Sequence, residues 1–264
     1  MPKASRYACP ALACGLLVFT ALTARVAHAE PACGAPYLGL EEGVKWTYER
    51  EVPEDGEDMV GEMDLALELP TELIVEVTSI SRDGDTTEIA LREVFGDIEQ
   101  NTEITCEDDD INVSPQSFLS VGEPGGGVGV TLVEGERRGS SFPADLRGSQ
   151  WREWVEFEFE QEAAPGSGAE HPSGKIQIAR EVRALGRVPL ELGDESYRPY
   201  RVDFELEGRA MIEPNPDRAV EIPADSRGAL WFEPGLGLVR AINRFGHDWT
   251  LVAHSGDDDD GDDD

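Results

Sequence analysis

Apolar and polar side chains alternate with a period of two along most of the chain after residue 36. Val44, Trp46 and Tyr48 share one face of a predicted strand, and Lys45 and Thr47 lie on the other. Such alternation is typical of antiparallel strands that bury one face and expose the other, so it predicts an all-β fold. The same pattern recurs in residues 63–69, 73–77, 89–91, 155–160 and 200–206.

Turn signals separate these strands and leave little room for helix. The Asp-Gly-Asp sequence at residues 83–85 lies between two alternating segments and predicts a hairpin. Residues 115–121 supply one or two helical turns, and residues 163–174 are typical of a flexible connection. A long loop is predicted around three prolines, Pro214, Pro216 and Pro223.

No change of composition divides the chain after its first 29 residues. We therefore predict one antiparallel β domain over residues 30–254, with about ten to thirteen strands and little helix. The pattern leaves open whether these strands form one sheet or two.

The N-terminal segment predicts export. Residues 1–10 carry two basic side chains and no acid, and residues 11–24 are almost wholly apolar. The Ala-His-Ala sequence at residues 27–29 has the pattern that signal peptidase cleaves, so residues 1–29 are predicted to be a signal peptide cleaved after Ala29. The apolar run is shorter than the ~20 residues that cross a bilayer, so we expect a periplasmic or extracellular product that does not span the membrane.

The cysteines divide between the signal peptide and the exported domain. Cys9 and Cys14 lie in the signal peptide, which leaves Cys33 and Cys106. An even pair in an oxidising compartment predicts a disulfide that pins the new N-terminus to the domain. Two unpaired thiols are the alternative. A lipid anchor at Cys14 is rejected, because most of the apolar run would follow the cut.

The charge limits the partners of the chain. Fifty-five acidic residues against 22 basic ones give a formal net charge of −33. Binding to nucleic acid or to a surface of anionic lipid head groups needs a basic surface, so the charge argues against both as partners. Seven of the ten residues 255–264 are aspartates, and this segment is predicted to be a disordered tail.

No catalytic or cofactor motif is present in the sequence. His171, His247 and His254 have no metal-type partner at the expected spacing, and neither a Gly-x-Ser-x-Gly sequence nor a phosphate-binding loop occurs. His247 and Asp248 could be half of an acid–base site, but a surface turn is favoured. We predict that the protein is not an enzyme, and we assign no catalytic residue, cofactor or ligand-binding residue.

Paired carboxylates are the remaining catalytic candidates. Glu156, Glu158 and Glu160 share a strand face, with neighbours about 7 Å apart. A glycosidase needs two carboxylates across a scissile bond. A solvated face opposite Arg180 and Arg183 is favoured, because unpaired buried carboxylates are costly.

Acidic turns offer oxygen ligands for calcium at residues 83–85 and 107–110. The spacing of a calcium-binding loop is absent, so no metal site is predicted. Weak association of divalent ions with an acidic surface module is the alternative function.

Two segments carry a resemblance to a known group. Residues 37–48 (YLGLEEGVKWTY) and 230–240 (LWFEPGLGLVR) resemble the two ends of a broad group of secreted bacterial proteins and lipoproteins of unknown function. Members begin with aromatic-Pro-Leu-x-x-Gly-x-x-Trp-x-Tyr and end with an aromatic strand, a Gly-Val-Gly turn and a Val-Arg/Lys strand. Gly39 replaces the usual proline, and Leu236 stands where valine is common.

The resemblance, which covers about 25 residues, implies a fold and transfers no catalytic residue. The group is similar to the LolA, LolB and LppX carriers, whose open half-barrel sheet holds acyl chains on its concave face. We therefore expect one strongly curved, open sheet. Trp46, Tyr48, Trp231 and Phe232 would hold the first and last strands together.

These observations favour an exported non-enzymatic protein that binds a hydrophobic small molecule or lipid. The acidic surface module is one alternative, and a hydrolase that uses acidic residues in a cleft is another. The oligomeric state stays open.

Overall fold

The computed structural model describes residues 32–51, 70–108, 110–122, 130–161, 173–215, 218–243 and 246–255. The predicted signal peptide, the strand predicted at residues 63–69, most of the connection at residues 163–174 and the acidic tail after Ser255 lie outside the described residues.

The described residues form sixteen strand segments, one helix of a single turn and two short 3₁₀ turns. The helix α1 is Phe118–Val121, and the 3₁₀ turns are Ala32–Gly34 and Pro36–Leu38. The strands are β1 (Lys45–Arg50), β2 (Glu72–Asp83), β3 (Thr86–Phe95), β4 (Ile98–Glu107), β5 (Asp110–Val113), β6 (Val130–Arg138), β7 (Phe142–Pro143), β8 (Gln150–Gln161), β9 (Ser173–Arg187), β10 (Leu190–Leu192), β11 (Glu195–Tyr197), β12 (Tyr200–Asn215), β13 (Arg218–Pro223), β14 (Ser226–Glu233), β15 (Gly237–Ile242) and β16 (Asp248–Ser255).

One large sheet dominates the fold. Its strand order is β6-β8-β9-β12-β14-β15-β16-β1-β2-β3-β4-β5-β7, with β13 paired to β12 beside this path, and β10 and β11 form a separate hairpin. Every pairing is antiparallel. The predicted all-β fold is confirmed, and the question of one sheet or two is answered by one sheet of fourteen strands with a small hairpin beside it.

The strand count exceeds the predicted ten to thirteen, because several pairings are only two to four residues long. Such short segments have no alternating pattern that a sequence could display. The long loop predicted around three prolines is wrong, since Pro214 lies in β12 and Pro223 ends β13, while Pro216 lies outside the described residues. Both sites tolerate proline, because Pro214 lies at a register shift between β12 and β13 and Pro223 is the last residue of its strand.

In the centre of the sheet, the alternating apolar residues form the core as predicted. In β1, Trp46 is 1% exposed and Tyr48 is fully buried, while Lys45 between the apolar positions is exposed. The hairpin predicted at residues 83–85 joins β2 to β3, and Gly84 takes the left-handed conformation that the turn requires.

The first and last strands of the described chain lie side by side. β1 pairs with β16, with Trp46 opposite His254. The Trp46 indole nitrogen donates to the Leu236 carbonyl at 2.7 Å, and the Tyr48 hydroxyl donates to the Leu238 carbonyl at 2.8 Å. These two aromatic residues therefore bind β1 to the start of β15, whereas Trp231, predicted to act with them, packs in a separate cluster with Leu190 and Val239.

Two glycines allow the N-terminal segment to approach the turn before β15. Gly39 has a φ of +62°, and a Cβ there would lie 2.7 Å from the backbone nitrogen of Gly237. A Cβ on Gly237 would in turn lie 2.8 Å from the Leu38 carbonyl oxygen. Proline cannot adopt a positive φ, so the departure from the group pattern at Gly39 has a backbone cause.

The sheet curves until its two ends approach each other. Phe142 on β7, at one end of the strand order, lies 5.4 Å from the ring of Phe232 on β14 and 6.2 Å from Trp151 on β8. In the described part of the chain no ladder joins β6 to β5 or β7, so the sheet is open. Side chains link the ends instead, because Arg137 on β6 donates to the Val113 carbonyl of β5 at 2.6 Å.

The single turn α1 lies within the curve of the sheet. Phe118 is fully buried, with ring-centroid distances of 4.8 Å to Tyr48 and 6.0 Å to Trp249. One or two helical turns were predicted here, and one is found. On the sheet's other side a smaller cluster of Leu190 with Trp231 and Val239 holds the β10–β11 hairpin.

Candidate functional site

Several apolar side chains on the concave face of the sheet are only partly buried along β8 and β9. Antiparallel register places Glu153 opposite Arg180, Val155 opposite Ile178, and Phe157 opposite Ile176 on this face. Glu153 and Arg180 are buried, whereas the four apolar side chains are only half-buried. Successive pairs lie about 7 Å apart along the strands. The face therefore changes from a buried charged pair to an open apolar surface.

These pairs form one wall of a cleft, and the segment around α1 forms the other. The empty space amounts to about 690 Å³, counted together with the solvent at its mouth. Leu206 on β12 and Arg137 on β6 extend the sheet wall, and the opposite wall comes from Pro115, Ser120 and Val121. The cleft is thus apolar along its open part and charged where it is closed.

Two arginines and one glutamate meet in the closed part. The Glu153 carboxylate lies 2.8 Å from Nη2 of Arg180 and 3.3 Å from Nε of Arg137. Exposure of the Arg180, Glu153 and Arg137 side chains is 4%, 6% and 21%. Because two positive charges meet one negative charge, the cluster carries one excess positive charge.

The arginines also bind backbone carbonyls of the facing wall. Arg180 donates to the Ser120 carbonyl at 2.6 Å and to the Ser141 carbonyl at 2.5 Å. Arg137 donates to the Ser141 hydroxyl at 2.9 Å. Burial lowers the pKa of the Arg137 guanidinium, the Glu153 charge opposes that shift, and the Arg180 charge adds to it. The cluster joins the sheet to α1 and to the corner before β7.

A second buried carboxylate fixes the start of α1. Both oxygens of Glu93 accept from the backbone nitrogen of Phe118, at 3.0 and 3.2 Å. The Ser117 hydroxyl, the Thr102 hydroxyl and the Gln100 side-chain amide also donate to it, at 2.5, 3.0 and 2.7 Å. Burial raises the pKa of Glu93, while these donors oppose the rise. Glu93 therefore holds the wall of the cleft that faces the sheet.

The predicted cysteine pair comes together in the structure. A disulfide joins Cys33 to Cys106, whose Cα atoms lie 5.4 Å apart. It ties the first 3₁₀ turn to β4.

The register of β8 and β9 corrects one prediction. Glu156, Glu158 and Glu160 lie opposite Gln177, Lys175 and Ser173, and not opposite Arg180 or Arg183. Glu156 binds Lys175 and Gln177, and the hydrogen bond from Lys175 lowers the pKa of Glu156.

The histidine candidates do not come together. The His247 backbone nitrogen donates to the Asn243 side chain at 3.0 Å in a turn, and Asp248 accepts from Nε of Arg240 at 2.9 Å. His254 lies in β16, and His171 is outside the described residues. Within the described chain, no group of three or more His, Cys, Asp or Glu side chains is placed to hold a metal ion.

The charged pair of the cleft was missed, although the sequence contains a signal for it. Glu153 has the same strand parity as Val155 and Phe157, and Arg180 has the parity of Ile176 and Ile178. An acid and a base at inward positions of two adjacent strands indicate a buried pair.

No protein-family model matches the sequence, and no curated protein matches it. Among solved structures, a Bacteroides fragilis protein that is proposed to be exported and has a YmcC-like fold is 14% identical, with a TM-score of 0.46 over 83% of this chain and 98% of that one. A Parabacteroides distasonis protein proposed to be a lipoprotein is 11% identical, with a TM-score of 0.46 over 83% of this chain and 97% of that one. The hypothetical lipoprotein YmcC of Escherichia coli is 9% identical, with a TM-score of 0.34 over 85% of this chain and 89% of that one.

Among the described residues, no helix is both long and apolar enough to cross a membrane.

Proposed function

We propose that this chain is an exported, non-enzymatic protein that binds a hydrophobic molecule in the cleft between α1 and the strands β8, β9 and β12. The observation that carries the proposal is the half-buried apolar surface of Val155, Phe157, Ile176 and Ile178. Export rests on the signal-peptide pattern of residues 1–29.

This surface contrasts with the rest of the concave face. In β2 and β3, the inward residues Leu73, Val75 and Leu91 are fully buried. Leaving a group of large apolar side chains in contact with water costs free energy, about 25 cal/mol for each Å². A contiguous apolar concavity with a few polar groups at one end is typical of a small-molecule site.

An isoleucine-to-aspartate pair of variants tests the proposal. Ile176→Asp places a charge in the cleft, whereas Ile222→Asp makes the same change at a side chain that is 45% exposed on β13. Titration with Nile red, a neutral apolar dye, should show binding to the native protein. We expect Ile176→Asp to weaken the binding of Nile red about tenfold or more, because the bound dye would remove water from the aspartate charge.

Ile222→Asp should bind the dye like the native chain, and circular dichroism should show both variants folded. No dye binding to the native chain, or equal binding to a folded Ile176→Asp variant, would remove the cleft as the binding site.

A further inference from the structure

The closed part of the cleft contains an imbalance of charge that an apolar ligand alone would leave uncompensated. Arg137 and Arg180 share one carboxylate, Glu153, and both Arg180 and Glu153 are almost fully buried. A buried charge without a partner is costly, and the remaining backbone carbonyl contacts supply only partial charges.

Hydrogen-bonding capacity also remains on the two guanidinium groups. Each has five N–H donors, and the contacts described above use three on each. Nε of Arg180 is buried and has no hydrogen-bond partner. Buried donors without a partner are rare in folded proteins, so this atom is a second sign, separate from the charge count, that an acceptor belongs here.

We propose that the cleft takes a single-chain amphiphile with a compact anionic head, a carboxylate or a phosphate, and this inference rests on the proposed function. The head lies against Arg137 and Arg180, and the acyl chain lies on the pairs Val155–Ile178 and Phe157–Ile176. Guanidinium groups bind carboxylates and phosphates in a bidentate manner, and both arginines line the cleft.

The overall charge of −33 does not oppose this contact. Salt screens charges beyond about 8 Å at physiological ionic strength, whereas a buried pair in contact is screened much less. The acidic exterior instead disfavours binding to an anionic membrane surface, so the ligand is a single molecule and not a bilayer.

Isothermal titration calorimetry with three ligands of equal chain length separates the contribution of the head group to binding from that of the acyl chain. The probes are decanoate, decyl phosphate and the neutral 1-decanol, each added to the full exported chain. We expect at least one of the two anions to bind about tenfold more tightly than decanol, which corresponds to about 1.4 kcal/mol. The anion that binds more tightly identifies the head group.

Two arginine variants of equal charge change supply the control. Arg137→Gln should remove most of the preference for the anion, and Arg183→Gln, at an exposed position on the outward side of β9, should keep it. Arg137→Lys retains the charge and should keep part of the preference if Arg137→Gln fails to fold.

The outcomes distinguish this inference from the proposed function. Equal binding of decanol and both anions to the native chain overturns the head-group proposal while the apolar cleft stands. Equal loss of preference in Arg137→Gln and Arg183→Gln also overturns it, because the effect would then come from net charge. Failure of all three ligands to bind overturns the proposed function as well.

Discussion

At the scale of single residues, buried carboxylates fix the positions of the two walls of the cleft. Glu93 accepts hydrogen bonds from Ser117, Phe118, Gln100 and Thr102, and so fixes the start of α1. Every partner in this group is a donor. A neutral amide at the same position would therefore point at least one donor at another donor.

Glu93→Gln should lower the free energy of unfolding by about 2 kcal/mol, because it leaves buried donors without acceptors. Urea denaturation measures this loss. The control is Glu99→Gln, which removes an exposed ion pair with Arg92 and should change the free energy of unfolding far less. Equal losses in the two variants would contradict the role given to Glu93.

The pH dependence of the same variant has a defined sign. Because burial raises the pKa of Glu93 in the folded state, the folded chain keeps this proton at pH values where the unfolded chain has lost it. The contribution of Glu93 to stability is then present below the usual glutamate pKa and falls as pH rises to the raised value. The stability difference between native and Glu93→Gln chains should shrink over that window and stay constant above it, and a difference that grows with pH would contradict the raised pKa.

The sequence predicted some residues of the fold better than those of the cleft. Trp46 and Tyr48 were identified as core because their alternation is complete in six residues of one strand. Glu153 and Arg180 meet only through the register of two long strands, β8 and β9, which local sequence does not determine. Because the register was unknown, Glu156 was also predicted to lie opposite arginines of β9, whereas it lies opposite Gln177.

At the scale of elements, the N-terminal segment is held by one covalent link and by the packing of the 3₁₀ turns. The disulfide between Cys33 and Cys106 spans 73 residues of sequence. Strand propensity and period located β1, β2 and β3, but they located neither β4 nor the very short β5, β7, β10 and β11. β5 pairs with β4, β7 pairs with β5, and β10 and β11 pair only with each other, so these strands depend on contacts in the assembled fold and not on a local pattern.

Replacing both Cys33 and Cys106 by serine should lower the free energy of unfolding by about 4 kcal/mol on the chain-entropy account of a loop of this length. Guanidinium denaturation of the oxidised native chain and of the double variant measures the difference. Reduction of the native chain should reproduce the loss, and it should leave the double variant unchanged. If reduction does not change the stability of the native chain, the stabilising role of the disulfide is contradicted.

At the scale of the whole molecule, the open sheet explains why one part of the concave face differs from the rest. The ends of the strand order are joined by side chains such as Arg137, and not by a ladder, in the described part of the chain. The central strands bury their inward residues against α1 and each other. Beside β8 and β9 the two walls stand apart, and the apolar side chains there remain half-exposed.

Native mass spectrometry of the exported chain, purified without detergent, tests this account most directly. We predict that the protein carries, or takes up from added decanoate or decyl phosphate, one molecule of a single-chain amphiphile. The Ile176→Asp variant should lose this adduct and the Ile222→Asp variant should retain it. A native chain that remains free of ligand under these conditions, or an adduct that survives in folded Ile176→Asp, would contradict the account.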